Sequence, residues 1–333
     1  MLQPSRIALA VAAALACGTA LAAPTGKPGP APSKPVSLDA SDFKPTSGCE
    51  KLEGYDPQWA NHGDDYGLNQ PEAKADKPKG DKDKKPQYVW GFYQMHEHDG
   101  TLYAAFGGKM AKNITPGALV ALDADTLALK NTIKLPFATH ALALSQDGKR
   151  AIATHTYVNA FSLVNLADGK ITCRKADTDV KGQKYRGRYV VLDEAGNFYI
   201  NYNTFAPGKP PSYLMKYTPE GEHAPGFAVQ SIGNGLVIPL AYLDGRVLTG
   251  THGVTAVDPK TGATTPLTGA DEGLNVYNYV AGPGKQLLAS VYGVGALPNL
   301  LLIDPATGAR SSLLTGSGTV EVGYSPESGQ VFS

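Results

Sequence analysis

The chain has 333 residues, long enough to bury a large core, with 30 basic and 30 acidic side chains. That balance excludes recruitment to nucleic acid or to an anionic membrane by overall charge. The 38 Gly and 25 Pro residues are a turn-rich count that suits many short strands.

The N-terminus reads as an export signal over residues 1–23. Arg6 supplies a basic start, and Ile7 to Ala16 form an apolar run too short to span a bilayer. Ala20-Leu21-Ala22 offers a cleavage site, so the expected location is periplasmic. A competing cleavage before Cys17 would make a lipoprotein, but Ala14 stands where that signal prefers Leu, and plain export is favoured. No later stretch is long and apolar enough for a membrane helix. Residues 24–87 read as a Pro/Lys-rich segment: an extended linker to Pro35, some aromatics over 36–70, then a lysine-rich stretch to Gln87 with no large hydrophobe. Two cysteines follow the leader, Cys49 and Cys173. In an oxidising compartment they read as one disulfide tying the N-terminal segment to the body, or as two separate thiols.

From Tyr88 to Ser333 a repeat emerges. Turn glycines recur at Gly100, Gly148, Gly196, Gly245, Gly284 and Gly329, spaced 39 to 49 residues apart. A second turn follows each of the first five, as in Val257 to Gly262 (Val-Asp-Pro-Lys-Thr-Gly) and Ile303 to Gly308 (Ile-Asp-Pro-Ala-Thr-Gly). Gly accepts positive φ and Pro presets φ, so both turn types join antiparallel strands. The recurring Asp123, Asp258 and Asp304 are turn formers on this reading. Two turn chemistries alternating at a period near 45 residues predict an all-β chain, a β-propeller of four-stranded blades.

The repeat resembles the YVTN-repeat propellers, in particular YncE-like periplasmic proteins. Ala141 to Lys149, reading Ala-Leu-Ala-Leu-Ser-Gln-Asp-Gly-Lys, matches the first half of that family's repeat, with Ile152-Ala-Thr-His155 in place of Tyr-Val-Thr-Asn. The two Asp-Pro-x-Thr-Gly turns match the second half, and Gly91 to Asp123 resembles the family's first blade. The resemblance implies seven blades. The sequence supplies five complete units and a sixth that stops inside its second strand, so the propeller domain, 88–333, is expected to be truncated at its C-terminal end. Otherwise residues 36–70 or a partner would close the ring.

Repeat phase also nominates a site. Seven residues past each turn glycine lies the end of the second strand, which gives His155, Asn203 and His252. Eight before it lies the start of the inner strand, which gives His140 and Arg188. These five are expected on one face around the channel mouth, where they suit a small anion or, with histidines converging, a metal. The plainer alternative is that each merely ends a strand. Tyr157, Tyr202, Tyr277, Tyr279 and Tyr292 are among the aromatics near that face or the inner strands, where core packing accounts for most such residues. His96 and His98 form a His-x-His pair on one side of a strand, a weak metal candidate lacking further ligands. No nucleophile elbow, phosphate loop or haem-attachment motif is present, and no cofactor is expected. The expected role is a monomeric, non-enzymatic binding or scaffold protein for a periplasmic or cell-envelope protein or a small ligand. The alternatives are a propeller enzyme, either a metal-dependent lactonase or a quinone-dependent dehydrogenase subunit, and an adhesive module anchored through Cys17.

Overall fold

The computed structural model describes residues 44–46, 48–50 and 92–332, except 107–116, 157, 178, 181–182, 205–210, 226, 228–229, 235–237, 270–275, 292–297, 316–321 and 326–328. The leader, Cys17 and the lysine-rich stretch lie outside the described residues.

Strand β1 (Lys44–Thr46) precedes the blades. Blade 1 comprises β2 (Phe92–His98), β3 (Thr101–Phe106), β4 (Gly117–Asp123) and β5 (Leu129–Leu135). Blade 2 follows with β6 (Ala141–Leu144), β7 (Arg150–His155), β8 (Ala160–Asn165) and β9 (Ile171–Asp177). The short β10 (Asp179–Val180) leads into blade 3: β11 (Gln183–Leu192), β12 (Phe198–Thr204), β13 (Pro211–Tyr217) and β14 (Gln230–Asn234). Blade 4 is β15 (Leu240–Leu243), β16 (Arg246–Thr249), β17 (Thr255–Val257) and β18 (Thr264–Pro266). Blade 5 is β19 (Val276–Ala281), β20 (Leu287–Val291), β21 (Pro298–Ile303) and β22 (Arg310–Thr315). Last come β23 (Gly323–Tyr324) and β24 (Val331–Phe332), a two-stranded sheet. Within every sheet, neighbouring strands pair antiparallel in chain order, apart from β1.

Turn chemistry explains the hairpins. All six repeat glycines adopt positive φ, from 61° to 80°, where a side chain would be strained. Asp99 and Asp244, which precede two of them, are also at positive φ, giving the two-residue turn that matches strand twist. In the second turns, Asp258 Oδ1 accepts from the amides of Lys260 (2.7 Å) and Thr261 (2.9 Å), and Asp304 Oδ1 from that of Ala306 (2.8 Å). These aspartates hold backbone, as expected of turn formers.

Blade 1 breaks the pattern at this turn. Leu127 donates its amide to Asp123 O (2.8 Å), as Gly262 does to Asp258 O (2.9 Å), but a leucine holds the position at φ 58°. Its side chain is 59% exposed and gains little from packing. Leu127→Gly is therefore expected to raise stability by about 0.5–1 kcal/mol, the left-handed penalty less the entropy cost of glycine. Urea unfolding measures it; a lower midpoint would show that Leu127 contributes packing that outweighs its strain.

The inner strands touch in the order β2, β6, β11, β15 and β19, and β23 packs against both β19 and β2. Ser325 Oγ donates to Glu97 Oε2 at 2.6 Å. A methyl group on Gly323 would lie 2.9 Å from Met95 O, so only glycine permits this approach. Among the described residues, five four-stranded blades and the β23–β24 sheet thus complete the circle. Of the residues described before the blades, β1 pairs with β9, on the outer edge of blade 2. There Cys49 is fully buried beside Phe137 and Ala160, and it is bridged to Cys173 with a Cα–Cα distance of 5.6 Å.

Apolar residues seal the blade interfaces. Between blades 2 and 3, Phe198 stacks on Tyr217 (5.0 Å) while Phe161 meets Phe198 edge-on (5.3 Å). The Tyr202 and Tyr217 hydroxyls bond to each other at 2.5 Å, which satisfies two polar atoms inside that core. No helix among the described residues is long and apolar enough to cross a membrane.

Candidate functional site: the channel mouth

Each inner strand runs toward its Asp-Gly or equivalent turn, and the second strand runs back. Inner-strand starts and second-strand ends therefore share the face opposite those turns. His140 immediately precedes β6, His155 ends β7, Arg188 lies in β11, Asn203 is the penultimate residue of β12, and His252 lies between β16 and β17. Their side chains nevertheless divide into different environments.

His155 and Asn203 are fully buried. The His155 ring is held at both nitrogens, Nε2 to Ser162 Oγ (2.7 Å) and Nδ1 near Ala138 O (3.3 Å), and packs edge-on to Phe137 at 5.8 Å. Burial lowers its pKa to about 4, so it is neutral at pH 7. Such an imidazole serves blade packing, whereas phase alone placed it at the mouth. His252 is exposed on the rim.

His140 lies within the field of the Arg188 charge. The His140 pKa falls to about 3, through burial first, then the Arg188 charge, then His155. Arg188 spans the opening. Its backbone carbonyl accepts from Thr154 Oγ1 of blade 2 (2.5 Å), and its Nη2 donates to the Tyr277 hydroxyl of blade 5 at 2.6 Å. The guanidinium carbon lies 5.4 Å from the ring centroids of both Tyr277 and Tyr189, within cation–π range. The guanidinium of blade 3 thus sits against Tyr189 of its own strand and Tyr277 of blade 5.

Directly beneath is a floor that phase counting did not nominate. Gln94 of β2 accepts from the Leu142 amide (2.8 Å) and donates to Asn278 Oδ1 of β19 (3.5 Å), and both side chains are buried. Gln94 and Asn278 each stand six residues before their turn glycine, and each is polar in an otherwise apolar register. That shared position was the available signal. At this end of the inner strands, Arg188 and Tyr277 thus bond across blades 3 and 5, and the Gln94–Asn278 amide pair lies next along the strands.

The His96/His98 pair lies elsewhere. Both side chains face blade 2, as strand alternation requires. His96 Nε2 donates to Leu142 O (2.7 Å), which takes that nitrogen out of ligand use, and His98 packs against the Gly148 turn. Among the described residues, no three His, Cys, Asp or Glu side chains gather as a metal site. On the turn face, a cleft of about 310 Å³ between blades 2 and 3 contains Asp193 and Glu194. Asp193 accepts from Asn197 and from the Tyr199 hydroxyl (3.1 Å), and Glu194 from Tyr242. Asp193 thus braces blade 3 internally, and Glu194 joins blade 3 to blade 4.

No family model and no curated relative match the chain. Solved structures do. One is a gluconolactonase from Xanthomonas campestris, with 12% identity, a TM-score of 0.51, and coverage of 74% of this chain and 83% of that one. Another is a calcium-binding protein, regucalcin, from Agrobacterium tumefaciens C58, with 14% identity, a TM-score of 0.50, and coverage of 73% and 81%. The chain is a β-propeller. At these identities the likeness is one of fold, and the chemistry has to be read from the site itself.

Proposed function

We propose that this propeller is an exported, non-enzymatic binding protein that holds its ligand at the channel mouth, on the face opposite the Asp-Gly turns. The observation that carries the reading is the hydrogen bond from Arg188 Nη2 of blade 3 to the Tyr277 hydroxyl of blade 5, with the buried Gln94–Asn278 amide pair next along the inner strands. Amides, imidazole, phenol and guanidinium suit recognition and orientation of a polar ligand. The Cys49–Cys173 disulfide supports export, since such bridges persist in oxidising compartments. The similarity of the repeat to YncE-like periplasmic propellers supports the same location.

Hydrogen exchange, with and without the small-molecule fraction of a periplasmic extract, tests the reading. Protection is expected around residues 138–141, 186–190 and 276–279. Protection confined to the Asp-Gly turn face would sink it. The enzyme alternative is checked on the same sample: turnover of a lactone together with a stoichiometric divalent ion would replace binding with catalysis.

A further inference from the structure

We infer that the cleft between blades 2 and 3 on the turn face binds a zwitterionic amino acid, its carboxylate on Arg150 and its ammonium on Glu194. This second site lies on the face opposite the mouth and does not depend on the function proposed above.

The cleft, of about 310 Å³, is near the lower end of small-ligand pockets, and its walls come from two inner hairpin turns, within 145–150 and 193–196. Pairing sorts its charges. Asp147 lies 3.8 Å from the Lys149 ammonium and accepts from Ser145 Oγ (2.7 Å) and the Lys149 amide (3.1 Å). Asp193 is buried, lies 3.9 Å from Lys216 Nζ, and accepts from the Asn197 amide (2.8 Å) and the Tyr199 hydroxyl. Both are therefore occupied. Glu194 is only half used: Oε2 accepts from Tyr242, and among the described residues Oε1 has no partner. Among the same residues the Arg150 guanidinium makes no hydrogen bond and no ion pair. Its place is nevertheless defined. A methyl group on Gly196 would lie 2.7 Å from Arg150 Nη2, so glycine lets the guanidinium reach from blade 2 onto the blade 3 turn.

The cleft thus presents one guanidinium and one carboxylate oxygen with unused hydrogen-bonding capacity, and the two do not bond each other. A ligand with both charges satisfies both groups. The planar guanidinium fork matches a carboxylate, and an ammonium donates to Glu194. An anion alone would meet the Glu194 charge, and a cation alone would meet that of Arg150. Gln146 adds an exposed amide and no large apolar side chain lines the cleft, which favours a polar side chain on the ligand.

Calorimetry of the full chain against L-glutamine, L-serine, N-acetyl-L-glutamine and L-glutaminamide tests this. The two free amino acids are expected to bind. The acetylated and amidated analogues, each lacking one charge, should bind roughly tenfold or more weakly. Arg150→Met should cost L-glutamine roughly tenfold and remove its advantage over L-glutaminamide. Glu194→Gln should remove its advantage over N-acetyl-L-glutamine. Both side chains are exposed, so the variants are expected to fold, which circular dichroism and melting temperature check. Arg150→Lys, which keeps the charge and loses the fork, should fall between and carries the test if Met does not fold. Either analogue matching L-glutamine, preferences unchanged in the variants, or no binding of either amino acid overturns the proposal. Exchange protection by L-glutamine is expected within 145–150 and 193–197. Protection confined to 138–141, 186–190 and 276–279 overturns this site and leaves the mouth standing.

Discussion

Removing the Cys49–Cys173 bridge is expected to cost about 4 kcal/mol, among the largest effects open to a single site in this chain. The cysteines are 124 residues apart, so the bridge closes a long loop and strips much chain entropy from the unfolded state. Its local setting adds to that. Cys49 is fully buried against Phe137 and Ala160, and the bridge sits three residues beyond β1, which pairs with β9 as a fifth strand on blade 2. Cys49→Ser/Cys173→Ser, or reduction of the wild type, should lower the unfolding midpoint by roughly 10 °C for a chain of this size. Exchange should rise first at 171–177, where the outer edge of blade 2 loses its cover. Equal stability in oxidised and reduced protein would show that β1 docks without the bridge.

Stability is also expected to fall as pH drops from about 6.5 toward 4, through histidines alone. His155 and His140 are buried neutral, with pKa values lowered to about 4 and about 3, and burial lowers that of His96 as well. Their unfolded counterparts protonate near 6.5. Between those limits the unfolded chain binds more protons, so stability is complete above 6.5 and declines with acid. His155 and His140 each contribute on the order of 3 to 5 kcal/mol at full extent. The turn aspartates act in a separate, lower window. Asp123 is held at about 2 by the Thr126 amide and hydroxyl and by Lys130, so its contribution is lost only below about 4. Denaturation midpoints at pH 7, 5.5 and 4.5 give the slope, and His155→Gln should remove one proton's share of it. A flat profile between pH 7 and 5 would mean that the histidines reach solvent.

The mouth shows how far repeat phase carries an argument about function. It identified which residues lie at one end of their blades, because antiparallel hairpins fix that by counting. It did not tell which of them face the opening. Arg188 bonds Tyr277 of another blade there, while His155, one strand away, turns into the blade to bond Ser162. Gln94 and Asn278 escaped because each is unremarkable within its own strand. They matter only as a pair from two blades, 184 residues apart.

Sequence alone determined the blades, since their boundaries depend on local backbone chemistry. Positive φ at six recurring positions needs glycine, and Asp carboxylates bond amides two and three residues on. It also nominated the two cysteines, whose pairing the fold then made. Tertiary structure decided the rest. How the first and last blades meet, where β1 docks and which polar side chains reach the channel depend on the rotation of each sheet against its neighbours. That rotation is set by interlocked side chains such as Phe161, Phe198 and Tyr217, whose partners lie far away along the chain.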